Sequence, residues 1–533
     1  MSKRIGLGLG CGICCAFLLL ALPADRPSDV HAGAPPTQLG SVAFPNGCSA
    51  EAQPAIAKGV ALMHSFQYTE SQQTFTEALA HEPKCPALHW GKAMATYEQI
   101  WYFPNDKTLK EGRKEIEKAR KLHSANAREQ DFLDAAAIFF QKGKMKQQER
   151  IRTYSQALEK LHTQDPHDPE AGSFYALSLI ALSEEDKEHT MDDLQKAVSV
   201  LEPLLKEHPD HPGVAHYLIH ATDRPELASQ GLEAARRYAA IAPDSSHALH
   251  MPSHIFVRLG LWQDSIVSNA ASKSAGAQAA AAHHAESHYQ VHAMHFLAYS
   301  YLQTGQEARA RGVIEQSKDI VGASQDDKAD TRAFLSALAV LDLHRWKEAA
   351  SLPAPPKDGR DTFWARAIGA ARSGDVKEAA SAVKRLEQLV ADGAKRRGNR
   401  SDSGSSEKPT DLREANAWLS FALGKRDEAL AELRAAADRE DKNGGEGVGV
   451  PAREMLADML LELKRPADAL AEYRINLQNS PNRFDGLLGA GRAAQAVGDA
   501  VAAQSYYSKL TQICATGADR PELAEAKTYS AQK

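Results

Sequence analysis

Aromatic residues make up only 7% of this 533-residue chain. No stretch alternates Val, Ile and Thr with polar residues, which excludes an all-β sandwich. A basic surplus is also missing. The 63 Lys and Arg against 69 Asp and Glu leave a net charge of −6, which argues against a nucleic-acid partner. Cysteine is scarce, with six residues, three of them (Cys11, Cys14 and Cys15) inside one N-terminal apolar run. The chain has no Walker loop, no dinucleotide-binding glycine fingerprint and no GxSxG elbow. Nothing beyond the N-terminal run nears membrane-span length. A chain this long exceeds one compact core, so several domains or a repeat array are expected.

The N-terminal run reads as an export signal. Lys3 and Arg4 precede the apolar segment Ile5 to Leu22, Pro23 ends it, and small residues stand at Ala24 and Ala32. We expect residues 1–32 to be a cleaved secretory signal, cut after Ala32 or Ala24. The alternative is an uncleaved anchor. The three early cysteines precede the end of the apolar run, which excludes a lipoprotein. Residues 33–47 read as an extended lead-in, and no membrane span is expected after signal removal.

A 34-residue period organises the rest. Ala457, Ala469, Tyr473 and Pro481 fall at offsets 8, 20, 24 and 32 of the frame. Gly491, Ala503 and Tyr507 take offsets 8, 20 and 24 of the next, and Gly59, Phe75, Ala78 and Pro83 take offsets 8, 24, 27 and 32 near the start. This pattern resembles the tetratricopeptide repeat (TPR), a helix-turn-helix unit. The resemblance implies an all-α solenoid of TPR-like repeats in which small residues let paired helices approach and the aromatic fills the gap to the next unit. Further turns sit at Gly260, Gly305, Gly374 and Gly424. We expect one helical region over 48–322, a second array over 328–517, a disordered loop at 393–411 and a C-terminal helix or tail at 518–533. Cys48 and Cys85 would each precede a helix in adjacent repeats, and export permits them to pair as a disulfide. Cys514 is left over.

Histidine is where the composition departs most from uniformity. Ten of the 21 histidines lie between His216 and His295, where an even spread would put about three. At about 100° per helical residue, His216 and His220 share a stripe, as do His247, His250 and His254, and His284, His288, His292 and His295. The repeat frame makes these segments the first helices of three successive units, facing the concave side. We expect His216, His220, His250, His254, His288 and His292 to converge on a transition metal such as Zn, Cu or Fe, with His247, His284 and His295 as further candidates. No cysteine lies nearby and no HExxH motif is present, so neither a zinc finger nor that metalloprotease pattern applies. A ladder of packing histidines, or a groove for an acidic peptide, is the competing reading.

Three neighbouring features qualify this picture. Asp223 lies near the first stripe, but the hexapeptide DRPELA recurs at 223–228 and 519–524, so a recurring helix cap explains both aspartates. Pro252 must kink its helix or begin a new one. The aromatic residues Phe66, Tyr68, Trp90, Trp101, Tyr102 and Phe103 read as core of the first repeats, or as a ligand-stacking wall.

The segments LGSVAFPNGC, HSF at 64–66, CPALHWGKAMA at 85–95, and the run from HPGVAHYLIHATD through HALHMPSHIFVRLGLW resemble exported bacterial TPR proteins over roughly residues 39–303. That resemblance implies fold and a periplasmic or secreted location, but no reaction. The functional expectation is an exported scaffold that takes a protein or peptide in its concave face and binds a metal through the histidine block. The alternative is a metal-dependent enzyme, weakened because no glutamate lies on the histidine stripes, Glu286 standing about 160° from His288.

Overall fold

The structure, a computed structural model, describes residues 38–531 apart from 45, 101, 186–187, 283–286, 357–358, 398–407 and 446. The expected signal at 1–32 and the start of the lead-in lie outside the described residues, as does His284. From Gln38 onward the chain forms one compact unit.

Helix hairpins follow one another along it, and no strand occurs among the described residues. Gln53–His64 pairs with Tyr68–His81, Pro86–Met94 with Asp106–Leu122, and so on to Phe484–Ala496 with Ala500–Ile513, followed by Leu523–Ala531. The array is therefore an all-α solenoid of helix-turn-helix repeats. The spacing of small and aromatic residues has a direct physical cause. Phe75 lies so close to Gly59 in its own hairpin and Gly91 in the next that an added Cβ at either would overlap its ring. Tyr473 fills the same gap against Gly489 of the following hairpin, and Tyr507 packs on Gly491 of its own. Backbone thus meets ring, which is what sets the distance between successive helices.

The tight turns inside hairpins need a left-handed residue, and Gly260 (φ +64°) and Gly305 (φ +69°) supply it. In the first hairpin the equivalent turn carries Phe66 at φ +56°. A bulky side chain pays a conformational penalty there.

Three expectations need adjustment. Gly393 to Arg397 are not coil but the end of the Val376–Arg397 helix, and Thr410 already opens Thr410–Ala422. The amphipathic run before Gly393 simply continues, and residues 398–407 lie outside the described residues. Packing crosses the boundary expected near 322–328, since one apolar cluster runs from Val257 to Leu343. The DRPELA copies are not caps of their own helices. Asp519 accepts from the backbone N–H groups of Glu307 (2.6 Å) and Ala308 (3.0 Å), at the start of a distant helix. Asp223 binds side chains only.

The last hairpins fold back onto the middle of the chain. Trp262 Nε1 donates to the Asn482 carbonyl at 2.7 Å. Arg258 Nη1 donates to the Gly444 carbonyl at 2.9 Å, and Arg224 to Lys442 and Asn443 carbonyls at 3.2 Å. Beneath them Arg483, fully buried, binds Glu454 through two contacts (2.9 and 2.8 Å), Asp342 (3.2 Å), Gly449 O (2.9 Å) and the Tyr299 hydroxyl. Cys48 and Cys85 form a disulfide that ties the lead-in to the second hairpin, while Cys514 is free and buried.

Replacing Arg483 with Ala strands Glu454 and Asp342 in the interior. The expected loss is about 3–5 kcal/mol in chemical denaturation. Arg465→Ala, which removes an exposed pair with Asp468, should cost less than about 1 kcal/mol. Equal midpoints for the two variants would contradict the role given to Arg483.

Candidate metal centre

The Pro212–Ala221 helix starts under its own histidine. His211 Nδ1 accepts from the Val214 N–H at 3.2 Å, and Pro212 occupies the first turn. Gly213 is required by approach rather than by backbone angle, because a side chain there would collide with the His64 ring. His64, the last residue of Gln53–His64, can therefore settle on this helix, and His216 Nδ1 donates to the His64 carbonyl at 2.6 Å. That bond fixes the tautomer and leaves the His216 Nε2 lone pair bare. His220 Nε2 lies 3.1 Å from it and His247 Nε2 3.0 Å from it.

A second triad forms one turn further along. The short Ser246–His250 helix stops before Pro252, which opens Pro252–Arg258. The break expected at this proline is thus a junction between two short helices, and His247 and His250 both remain helical. The Asn269 amide donates to the Ser265 carbonyl at 2.8 Å, so its Oδ1 faces His250, whose Nδ1 donates to it at 2.7 Å. His254 Nδ1 donates to Asp223 Oδ2 at 2.7 Å, and Arg258 Nε binds the other oxygen of Asp223 at 2.9 Å. The two Nε2 atoms of His250 and His254 stand 3.0 Å apart. His292, from His288–Gln303, completes the group, its ring 4.4 Å from that of His250 and 5.7 Å from that of His254. In each triad the ligand atoms all lie within 4.8 Å of one another.

The histidines are thus gathered as two sets of three rather than one set of six. His247 belongs to the first. His288 lies against Tyr289, ring centroids 3.9 Å apart and tilted, and is in neither triad. His295 is half-buried against Phe334 at 4.3 Å, its Nε2 without a hydrogen-bond partner. The split follows from the offset of His247 and His250, which point about 60° apart and so reach to opposite neighbours.

Burial governs the electrostatics. It pushes His216, His247 and His250 well below the ordinary histidine range. It pushes His220 and His292 down to about 3, with the nearby His254 adding to both, and His295 to about 4. These rings are neutral at pH 7, the form that binds metals. Burial alone would raise Asp223, but Arg258 and His254 hold its carboxyl well below the usual range. A charged carboxylate behind a histidine fixes the ring's orientation and raises the basicity of its other nitrogen, which is what a metal ligand would need.

Each triad is also faced by one phenylalanine. Phe66 lies 4.4, 5.3 and 5.6 Å from His216, His220 and His247. Phe296 lies 4.8, 4.8 and 5.2 Å from His250, His254 and His292. Of the aromatic residues grouped in the sequence, Phe66, Tyr68 and Trp90 are buried and Tyr102 is exposed, while Trp101 lies outside the described residues. His216, His247 and His250 are buried and the other three half-buried, so the triads sit between helices rather than along an open groove.

Two further clusters are structural. Glu170 accepts from His64 Nε2 (2.8 Å) and His211 Nε2 (3.0 Å), and Tyr217 donates to His64 Nδ1 at 2.9 Å. Both carboxylate oxygens are engaged, so this buried post holds His64 and, through its carbonyl, His216. Cys48, Glu82 and Cys85 also lie together, but the sulfurs are joined to each other. His64 and His211 were not picked out as site residues in the sequence, and Phe66 was read there as core or as part of a ligand-stacking wall, not as a neighbour of the histidines. Only the HSF triplet and the HPG sequence marked the places where they fall.

No protein-family model matches the chain, and no curated protein matches it in sequence. Among solved structures it is similar to the human IFIT1 dimer with m7Gppp-AAAA at 14% identity and a TM-score of 0.35, covering 86% of this chain and 89% of that one. The APC/C hetero-tetramer Cut9–Hcn1 gives 10% identity and a TM-score of 0.30, with 90% and 89% covered. Naa15/Naa10 bound to HypK-THB gives 12% and 0.24, with 90% of each covered. Scores this low carry no argument about function, and the repeat architecture rests on the chain's own hairpins.

The buried rings make the metal-free protein acid-sensitive. Unfolded histidines titrate near about 6.5, whereas the folded ones resist protonation, so the unfolded state binds more protons below that pH. Stability is expected to fall as pH drops from about 6.5 toward 3. Between about pH 6.5 and 5, above the carboxylate range, the melting temperature should decline in the native protein and decline less in His220→Gln and His292→Gln. A flat profile in calorimetry would contradict the burial argument.

Proposed function

We propose that this chain is an exported helical-repeat scaffold whose middle hairpins bind transition-metal ions, one in each histidine triad. One observation carries the reading. His250 and His254 both direct Nδ1 at an oxygen acceptor, Asn269 and Asp223, so their Nε2 atoms are turned toward each other at 3.0 Å. A cation between them, proton or metal ion, is held by both nitrogens. A proton would serve two rings, but a third imidazole, His292, stands in the same group, and three nitrogen donors suit a metal ion. The first triad repeats the logic, because the single bare lone pair of His216 cannot accept fully from both His220 and His247.

Sets of imidazoles alone favour Cu, Zn, Ni or Fe over Mg or Ca. Three protein ligands leave a coordination position open, which keeps a metal-dependent activity within reach. Asp223, which lies behind His254, is held by Arg258 and His254 and is not free to act as a general base. The scaffold role, with a protein or peptide as partner, rests on the extended surface that stacked repeats present. Export is supported by the N-terminal apolar run and by the disulfide, which fits an oxidising compartment.

Elemental analysis of untagged protein tests the reading. Two transition-metal ions per chain are expected, with His220→Ala and His254→Ala each retaining one. A protein that binds no ion after equilibration with Zn and Cu would overturn it.

A further inference from the structure

The second triad is held from a distance. His254 Nδ1 donates to Asp223 Oδ2 at 2.7 Å, and Asp223 Oδ1 accepts from Arg258 Nε at 2.9 Å. Arg258 Nη1 then donates to the Gly444 carbonyl at 2.9 Å, 186 residues further along the chain. These links stiffen side chains that are soft by themselves. The last torsion of an aspartate or a histidine is broad and roughly twofold, so neither group fixes its own plane. A guanidinium is a rigid planar fork. With Nε on the carboxylate and Nη1 on a backbone carbonyl, it sets the plane of Asp223, and Asp223 sets the ring of His254. The Arg258 side chain is only 10% exposed, so water competes weakly for these bonds.

The far anchor is itself a built feature. The Arg426–Lys442 helix ends in a glycine turn. There the Gly444 N–H donates to the Asp441 carbonyl at 3.0 Å and the Gly445 N–H to the Glu440 carbonyl at 2.8 Å, with φ of +95° and +69°. Carbonyls at such an end carry the negative pole of the helix dipole, and two guanidinium groups meet them. Arg224 donates to the carbonyls of Lys442 and Asn443, beside Arg258 on Gly444. A Cβ on Gly444 would stand 2.8 Å from Arg224 Cζ, so glycine is what lets that arginine lie against the turn. Asp223 and Arg224 are adjacent, so one dipeptide serves the histidines with its first residue and the turn with its second. The other DRPELA copy also joins distant segments, with Asp519 on the Glu307 amide and Arg520 on Asp485.

Resting on the metal-binding reading above, we infer that Arg258 is a positioning residue for the second triad, and that the returning C-terminal hairpins complete that metal site through the Gly444 carbonyl. Arg258 acts through geometry, since its charge is matched by Asp223. The first triad is aligned from another side, by the His64 carbonyl of the opening hairpin. The two sites therefore respond differently to docking of the C-terminal hairpins. Linkage makes the effect reciprocal, so an ion at the second triad also tightens the docked turn.

The test uses zinc as the probe on full-length, untagged chains. Competition with a chromophoric chelator reads the second triad in a His220→Ala background and the first in a His254→Ala background. Arg258→Ala should weaken zinc at the second triad about tenfold, the low end for supports of a metal ligand. Gly444→Val, which crowds the turn and alters no histidine, should do the same and leave the first triad unchanged. Arg258→Lys keeps the charge without the fork and should not restore affinity. In the His220→Ala protein, zinc should slow hydrogen exchange at the Gly444 and Gly445 amides. Unchanged or tighter zinc binding at the second triad in either variant, equal losses at both triads, full rescue by lysine, or exchange indifferent to zinc would overturn the inference while leaving metal binding intact. Zinc binding in neither background would remove the reading on which it rests, and the inference with it.

Discussion

A neutral imidazole has two nitrogens and one proton, and where that proton goes decides what the ring can do. In the middle of this chain three oxygen acceptors claim it. The His64 carbonyl takes the Nδ1–H of His216, the Asn269 amide takes that of His250, and Asp223 takes that of His254. Each claim turns the Nε2 lone pair toward other histidines. Burial keeps most of these rings from simply taking up another proton. The lone pairs are thus pre-aimed by their surroundings, the condition for tight metal binding with little reorganisation.

That aim depends on the repeat architecture. Glycine and aromatic residues at fixed offsets bring successive hairpins within reach. Gly213 lets His64 settle on the next histidine-bearing helix, and the break at Pro252 divides the second histidine group between two short helices. Phe66 occupies a left-handed turn where the hairpins at Gly260 and Gly305 carry glycine, and its ring faces the first triad. Strain of this kind persists only where the surroundings enforce it. The final hairpins contribute from outside, since Arg258 joins Asp223 to the Gly444 carbonyl and so links the second triad to the returning end of the solenoid.

Local spacing made the hairpins legible in the sequence. The 8 and 24 offsets describe a contact between residues of one hairpin or its neighbour, and Phe75 against Gly59 is that contact. Helical phasing also singled out His216, His220, His250, His254 and His292, which the structure gathers into two groups of imidazoles. What was illegible depended on distant segments. Asp223 looked like a cap because caps are local, whereas its true partners, His254 and Arg258, lie a full hairpin away. The division into two triads required the relative rotation of three helices. His288 has the right phase on its own helix, but that helix presents His292 to the site instead.

The account stands on ions sitting at the two foci of Nε2 atoms, and anomalous X-ray diffraction at the absorption edge of the bound metal tests this most directly. Two peaks are expected, each about 2.0 Å from three imidazole nitrogens, one among His216, His220 and His247 and one among His250, His254 and His292. A map from metal-equilibrated crystals with no peak at either focus, and the rings joined only by hydrogen bonds, would contradict it.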